Sequence, residues 1–142
     1  ALKDAEFVRY GVMHRNTYLD SPRLLAGYYR LRSELRISFA GQMTGVEGYV
    51  ESAASGMLVG IETAARVLGL DSVDFPRETA IGALAAYVSG GSVGDFQPMN
   101  INFGIITPLG YRVKGKRNKN AEISRRSLEI IDKLREKEVF RT

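Results

Sequence analysis

The chain has 142 residues, enough for one modest core, and its 44% apolar and 25% charged content excludes disordered and collagen-like classes. With no Cys there are no disulfides, thiolate metal sites or cysteine nucleophiles, and with no Trp and a single His much familiar catalytic chemistry is closed to it. The net charge of +4 is uneven: residues 112–142 carry 11 Lys/Arg against 5 Asp/Glu, whereas residues 1–111 carry 9 against 11, so the basic character belongs to the tail.

The chain opens Ala1-Leu2-Lys3-Asp4, with no charged-then-apolar leader, and its longest small and apolar stretch, Ala53 to Leu70, is broken by Glu62 and Arg66. The expectation is a cytoplasmic chain with no membrane span, and a first residue other than Met fits a processed product or a piece of something longer. Phe7, Tyr10 and Val12 alternate ahead of the polar cluster His14-Arg15-Asn16-Thr17, which predicts extended structure and loop over residues 1–20. Ser21-Pro22 opens a short turn or helix over 21–34. Arg36-Ile37-Ser38-Phe39-Ala40-Gly41 reads as a buried strand that stops at a glycine.

Thr44-Gly45-Val46-Glu47 has the spacing of a capping box, predicting a helix from there to Leu68 with Gly69 as its left-handed stop. Gly56, Gly60 and Ala64 share one face of that helix, which suits either tight packing on a sheet or close approach to a flat ligand. Phe75-Pro76-Arg77-Glu78 predicts a second helix, reaching about Val88 and ending at Gly90-Gly91. Residues 92–111 form a long irregular connection, a length that is often functional in a compact domain. From Asn120 a last helix places Ile123, Ile130, Ile131 and Leu134 on one side.

A strand, a glycine turn and then a helix form a physical device for holding an electron-rich group. The helix start offers free amides and the positive end of its dipole, and the glycines let a ligand touch the main chain. The pattern alone also fits a purely structural turn. The run Gly41-Gln42-Met43-Thr44-Gly45-Val46-Glu47-Gly48-Tyr49-Val50-Glu51-Ser52-Ala53-Ala54-Ser55-Gly56, however, closely resembles the C-terminal flavin-binding segment of the TrmFO (Gid) family, flavin-dependent methylenetetrahydrofolate:tRNA uracil methyltransferases. Three further stretches resemble the same family: Arg9 to Tyr18, Phe75 to Ala80, and Phe96 to Gly104. The related MnmG (GidA) class is similar in the glycine-rich segment and less so in the other three.

The resemblance implies an α/β fold, the C-terminal portion of a glutathione-reductase-like, Rossmann-type FAD-binding domain with a basic C-terminal helix. Residues 1–111 would form the flavin-ring and folate side and residues 112–142 a basic linker and helix. It implies FAD as cofactor, with methylenetetrahydrofolate and NAD(P)H as cosubstrates, and carbon five of a uridine in the tRNA T-arm as acceptor. The family's ADP-gripping Gly-x-Gly-x-x-Gly and its catalytic cysteines are absent from this chain, which is expected to be inactive without the N-terminal part of the same protein. No catalytic residue and no metal site is expected within it.

The implied flavin-ring contacts are Gly41, Gln42, Thr44, Gly45, Val46, Gly48 and Tyr49, with Gly45 and Gly48 as the foremost main-chain contacts and the helix start facing the negative charge of reduced flavin. Glu51 reads as structural, because an unpaired carboxylate beside anionic flavin is unfavourable. The implied folate contacts are His14, Asn16, Asn100 and Asn102; a satisfied structural imidazole and turn-forming asparagines are the competing readings. Arg112, Lys114, Lys116, Arg117 and Lys119 suit tRNA phosphates and equally suit a solvated linker. The competing functions are an MnmG-like modifier of wobble uridines, which a simple methyl product would exclude, and a non-catalytic RNA-binding module, which would purify without flavin.

Overall fold

The computed structural model describes residues 3–4, 6, 17–91 and 96–136. A single turn of helix, α1 (Ser21–Leu24), starts with Pro22 in its first turn, where a missing N–H costs nothing. Three short strands, β1 (Leu25–Ala26), β2 (Arg30–Leu31) and β3 (Glu34–Ser38), then form an antiparallel sheet in that order. Leu25 faces Leu31 and Arg30 faces Ser38, with a register slip between Arg30 and Leu31.

The β1–β2 reversal is made by Tyr28 and Tyr29, at φ +57° and +60°, a region that costs a non-glycine residue about 1–3 kcal/mol. Both side chains hold the turn in place. Tyr28 Oη donates to Asp74 Oδ1 at 2.9 Å and accepts from the Phe75 amide at 3.3 Å, while the Tyr29 ring is fully buried. Burial, helped by the Asp74 hydrogen bond, pushes the Tyr28 phenol up to about 12.

The strand expected over 36–41 is thus present but shifted to 34–38, and it is not buried. β3 pairs with β2 alone among the described residues, and as an edge strand it leaves Leu35 and Ile37 48% and 46% exposed. Apolar residues in sequence indicate burial only when another layer covers them.

The long helix α2 (Tyr49–Leu68) ends as read: Gly69 is left-handed at φ +69°, and the Leu70 amide returns to the Ala65 carbonyl at 2.8 Å. Its start differs from the capping-box reading. Residues 41–44 form a tight turn in which the Thr44 hydroxyl donates to the Gly41 carbonyl at 2.7 Å. Gly45 is left-handed at φ +87°, Val46 is drawn into a parallel bridge with Met99, and the helix is delayed to Gly48 as N-cap.

The second helix, α3 (Ala80–Ala86), also starts later than Phe75-Pro76 suggested. Thr79 is its cap, accepting from the Gly82 amide at 3.1 Å and donating to the Pro76 carbonyl at 2.8 Å. A wide turn, Tyr87–Gly91, closes it as expected. The last helix, α4 (Lys116–Leu134), begins one turn before Asn120, so Lys116, Arg117 and Lys119 lie on a helix and not on a flexible linker.

The main core joins Leu25, Tyr29, Val46, Leu58, Phe75 and Leu84, with Ile131 and Leu134 of α4 packed against it. A smaller cluster of Ala83, Ile106 and Ile123 ties α4 to α3. Arg126 fastens α4 further, donating to the carbonyls of Thr107 and Pro108.

Candidate functional site

Segments distant in sequence meet at the start of α2. The Leu19 amide donates to the Met43 carbonyl at 2.8 Å and Ser21 Oγ to the Thr44 carbonyl at 2.9 Å, bringing the end of the first motif beside the glycine turn. On the other side the Met99 amide donates to the Gly45 carbonyl at 3.1 Å and the Glu47 amide to the Met99 carbonyl at 3.2 Å. Phe96 joins the three: its ring lies 6.2 Å from that of Tyr18 and 5.7 Å from that of Tyr87, and it covers the face of Gly45 where a Cβ would stand.

The seven residues of the glycine segment therefore divide. Thr44, Gly45 and Val46 are buried within this chain, and the Gly45 amide is taken by the Gln42 carbonyl at 2.9 Å. Gly41 at φ +71° gives its amide to Ser55 Oγ at 2.8 Å, so both early glycines serve the turn. Gln42 and Tyr49 are exposed, and Gly48 is half-buried. The amides of Gly48, Tyr49, Val50 and Glu51 donate to no protein acceptor among the described residues; the first helical bond is from Ser52 to the Gly48 carbonyl.

Glu51 stands at the third helical position, where a carboxylate folds back toward the N-cap. Its carboxylate lies where a Gly48 side chain would be, and Oε1 accepts from the Ile101 amide at 3.2 Å. It is thus engaged on the core side of the helix start. Such a site can bind a polarised carbonyl edge or an anion through main-chain N–H groups, aided by the dipole of a 20-residue helix.

His14 and Asn16 lie outside the described residues. Asn100 and Asn102 are exposed on the segment that runs beside 45–47, and Asn102 Oδ1 accepts from the Gly104 amide at 2.8 Å, an Asx turn that occupies its oxygen. Sequence reasoning missed Phe96 as the joining ring and Ser55 as the holder of Gly41. Only Glu51 left a signal, three residues after Gly48.

Arg112, Lys114, Lys116, Arg117 and Lys119 are all exposed, and none has an ion-pair partner among the described residues. Three of them occupy the first turn of α4, which contains no acidic residue, so cations crowd the positive end of the helix dipole. Further along, Arg125 bridges Glu122 and Glu129 at 2.8 and 2.6 Å and, with the Tyr111 hydroxyl, holds the Glu122 carboxyl below its ordinary range. No helix among the described residues is long and apolar enough to cross a membrane, and no cluster of three metal-ligating side chains forms among them.

A family model described as glucose inhibited division protein A matches residues 1–71. The chain is similar to the methylenetetrahydrofolate–tRNA-(uracil-5-)-methyltransferase TrmFO of Acetivibrio thermocellus, with 56% identity over 130 residues, 92% of this chain and 30% of that protein. It is 50% identical over 134 residues to the protein of the same name from Desulfitobacterium hafniense, covering 94% of this chain and 31% of the relative. With that of Desulforamulus reducens the identity is 53% over 137 residues, 96% of this chain and 31% of the relative. The chain spans about 30% of the length of these curated relatives.

Proposed function

The chain belongs to the glucose inhibited division protein A family, and on that premise we propose that it is the C-terminal, flavin-ring and folate side of a methylenetetrahydrofolate:tRNA uracil-5-methyltransferase. The observation that carries the reading is the identity of 56% and 50%, over 92% and 94% of this chain, to relatives named methylenetetrahydrofolate–tRNA-(uracil-5-)-methyltransferase TrmFO; the open amides from Gly48 to Glu51 at the head of α2 are where we seat the flavin edge. FAD, when bound, supplies hydride transfer between NAD(P)H and the one-carbon unit. The residues here fit its ring edge: Gly48, Tyr49 and Val50 offer N–H groups to a carbonyl rim, and Glu51 is engaged by Ile101. Gly41, Thr44, Gly45 and Val46 act from beneath, shaping the turn, and Gln42 is free to reach the ligand.

In this reading Asn100 and Asn102 border the folate, with His14 and Asn16 from the preceding motif. The N–H₂ group of Asn102 remains for a pterin acceptor while its oxygen holds the turn. Residues 1–111 belong to a glutathione-reductase-like FAD domain completed by the rest of the polypeptide. Residues 112–142 add the phosphate-contacting side: the charges of Arg112 through Lys119 are unfavourable for α4 itself and favourable for the tRNA T-arm backbone. We place the protein in the cytoplasm with its tRNA. The relatives' printed name favours uracil methylation over wobble-uridine chemistry.

The test is purification of the full-length protein and assay of FAD content and methyl transfer to T-arm uridine. Glycine-to-proline replacement at Gly48 removes one amide, and the expected result is weaker flavin binding with a changed flavin spectrum. A colourless protein that does not take up FAD would overturn the reading.

A further inference from the structure

Tyr111 stands at the head of the basic segment and is 59% exposed. A lone exposed ring calls for no explanation, but this one is held in place. Its Oη donates to Glu122 Oε2 at 3.2 Å, and Arg125 holds the same carboxylate oxygen at 2.8 Å. The chain between is tied down as well. The Asn118 side-chain amide donates to the Lys114 carbonyl at 3.2 Å, and the Lys119 main-chain amide donates to the Gly115 carbonyl at 3.0 Å, with Gly115 at φ +88° turning the chain into α4. Residues 111–119 thus fold back onto α4 instead of trailing from it.

Glu122 shares a helix face with Asn118 and Lys119, one turn earlier, so the tether brings the tip of Tyr111 to the face that carries Lys119. Arg112 and Lys114 follow Tyr111 in the chain, exposed and without an ion-pair partner among the described residues. No acidic residue lies between Asp95 and Glu122, and Glu122 is already engaged by Arg125 and the phenol.

Because the hydroxyl is used within the chain, the ring offers its partner an apolar π face and no further hydrogen bond. Free cations around a flat apolar face match a strand that carries anions and flat rings together. An acidic peptide would satisfy the cations and leave the ring bare, and a paired helix keeps the faces of its bases stacked inside; an unpaired nucleotide brings a phosphate and an open π face at once. A side chain already tethered at its tip loses little further freedom when it is covered.

We propose that Tyr111 is a stacking platform for an unpaired base of the RNA substrate, with Arg112, Lys114 and Lys119 on the phosphates beside it. The inference rests on the reading of Arg112 to Lys119 as the phosphate-contacting side, and adds to it a contact that is not electrostatic.

The test uses the full-length protein and a T-arm RNA hairpin in filter binding at several salt concentrations. Tyr111→Ala is expected to weaken binding at least about fivefold, the low end for one base stacked on an aromatic ring, with the slope of log affinity against log salt unchanged. Tyr111→Phe keeps the ring and is expected to stay within about twofold of the unaltered protein. Unchanged affinity in Tyr111→Ala overturns the proposal. A loss in Tyr111→Phe as large as that in Tyr111→Ala overturns it equally, because the role would then belong to the hydroxyl. A hairpin carrying 5-iodouridine at its unpaired positions gives a readout that misfolding does not imitate: on irradiation a cross-link at Tyr111 is expected, located by peptide mass spectrometry, and its absence refutes stacking there. Lys116→Glu separates this inference from the reading beneath it. If that change lowers affinity while Tyr111→Ala does not, the stacking alone falls; if neither has an effect, the basic segment is not the RNA side and both fall.

Discussion

Replacing Gly82 by Ala sets two effects of opposite sign against each other. Gly82 lies in α3, where Ala is intrinsically better by about 0.8–1 kcal/mol. An added Cβ, however, runs into the carbonyl oxygens of Phe75 and Pro76, which are backbone atoms. They cannot withdraw easily, because Pro76 accepts from both the amide and the hydroxyl of Thr79, the cap of α3. Overpacking of this kind costs about 1–3 kcal/mol, more where the cap is also lost. The net expectation is destabilisation by about 1–2 kcal/mol, which for a chain of this size lowers the unfolding midpoint by roughly 4–8 °C. Gly60→Ala is the matched control: nothing stands near its Cβ, so in the 142-residue chain it is expected to stabilise by about 0.5–1 kcal/mol. Thermal and urea unfolding followed by circular dichroism measure both. A Gly82→Ala midpoint that rises in step with Gly60→Ala would show that the approach of α3 to residues 75–76 is not as described.

Three other outcomes follow from charge and hydrogen bonding. Lys116→Glu relieves the cation crowding at the start of α4 and is expected to stabilise the chain by about 0.3–1 kcal/mol. In the full-length protein the same change is expected to weaken tRNA binding and to lower the slope of log affinity against log salt by about 0.7–0.9, read from filter binding at several ionic strengths. Arg126→Met removes the donors to Thr107 and Pro108 and is expected to cost about 1–3 kcal/mol, with faster amide exchange along α4. Tyr28 has a raised folded-state pKa of about 12 against about 10 unfolded, so its contribution is complete below pH 10 and is lost as pH climbs toward 12. Tyr28→Phe should flatten that alkaline decline in urea midpoints; an unchanged slope would remove Tyr28 as its cause.

Features with local causes were readable in the sequence, and those with distant causes were not. Gly69 ends α2 because only glycine takes the left-handed stop cheaply, and that requirement is visible in one dimension. The start of α2 depends on Met99, more than fifty positions away, capturing Val46 in a bridge. Thr44-x-x-Glu47 and Gly48-x-x-Glu51 both carry the acidic half of a capping box, and the bridge selects the second. Likewise Arg36-Ile37-Ser38-Phe39 has strand-forming side chains, but whether that strand is central or at an edge depends on partners the pattern does not name. Lys116 to Lys119 read as linker because of their charge, whereas α4 forms around Ile123, Ile131 and Leu134 on its other side.

The candidate site brings two of the resembling stretches, residues 41–56 and 96–104, into direct contact, with Leu19 bonded to the first of them. Leu19 is bonded to Met43, Gly45 to Met99, and Glu51 to Ile101, so segments on either side of α2 close around its first turn. Each of these bonds satisfies a main-chain group of the loops, and Ser55 does the same for Gly41. The consecutive amides of Gly48 through Glu51 stay open, as the first four amides of an α-helix do. The head of α4 leaves its first amides open in the same way, its first bond running from Lys119 to the Gly115 carbonyl, whereas only the head of α2 is closed in by a second chain segment, at Val46–Met99 and Glu51–Ile101. It is the meeting of residues 41–56 with residues 96–104 at that helix head, and not the open amides alone, that agrees with the ligand edge proposed there.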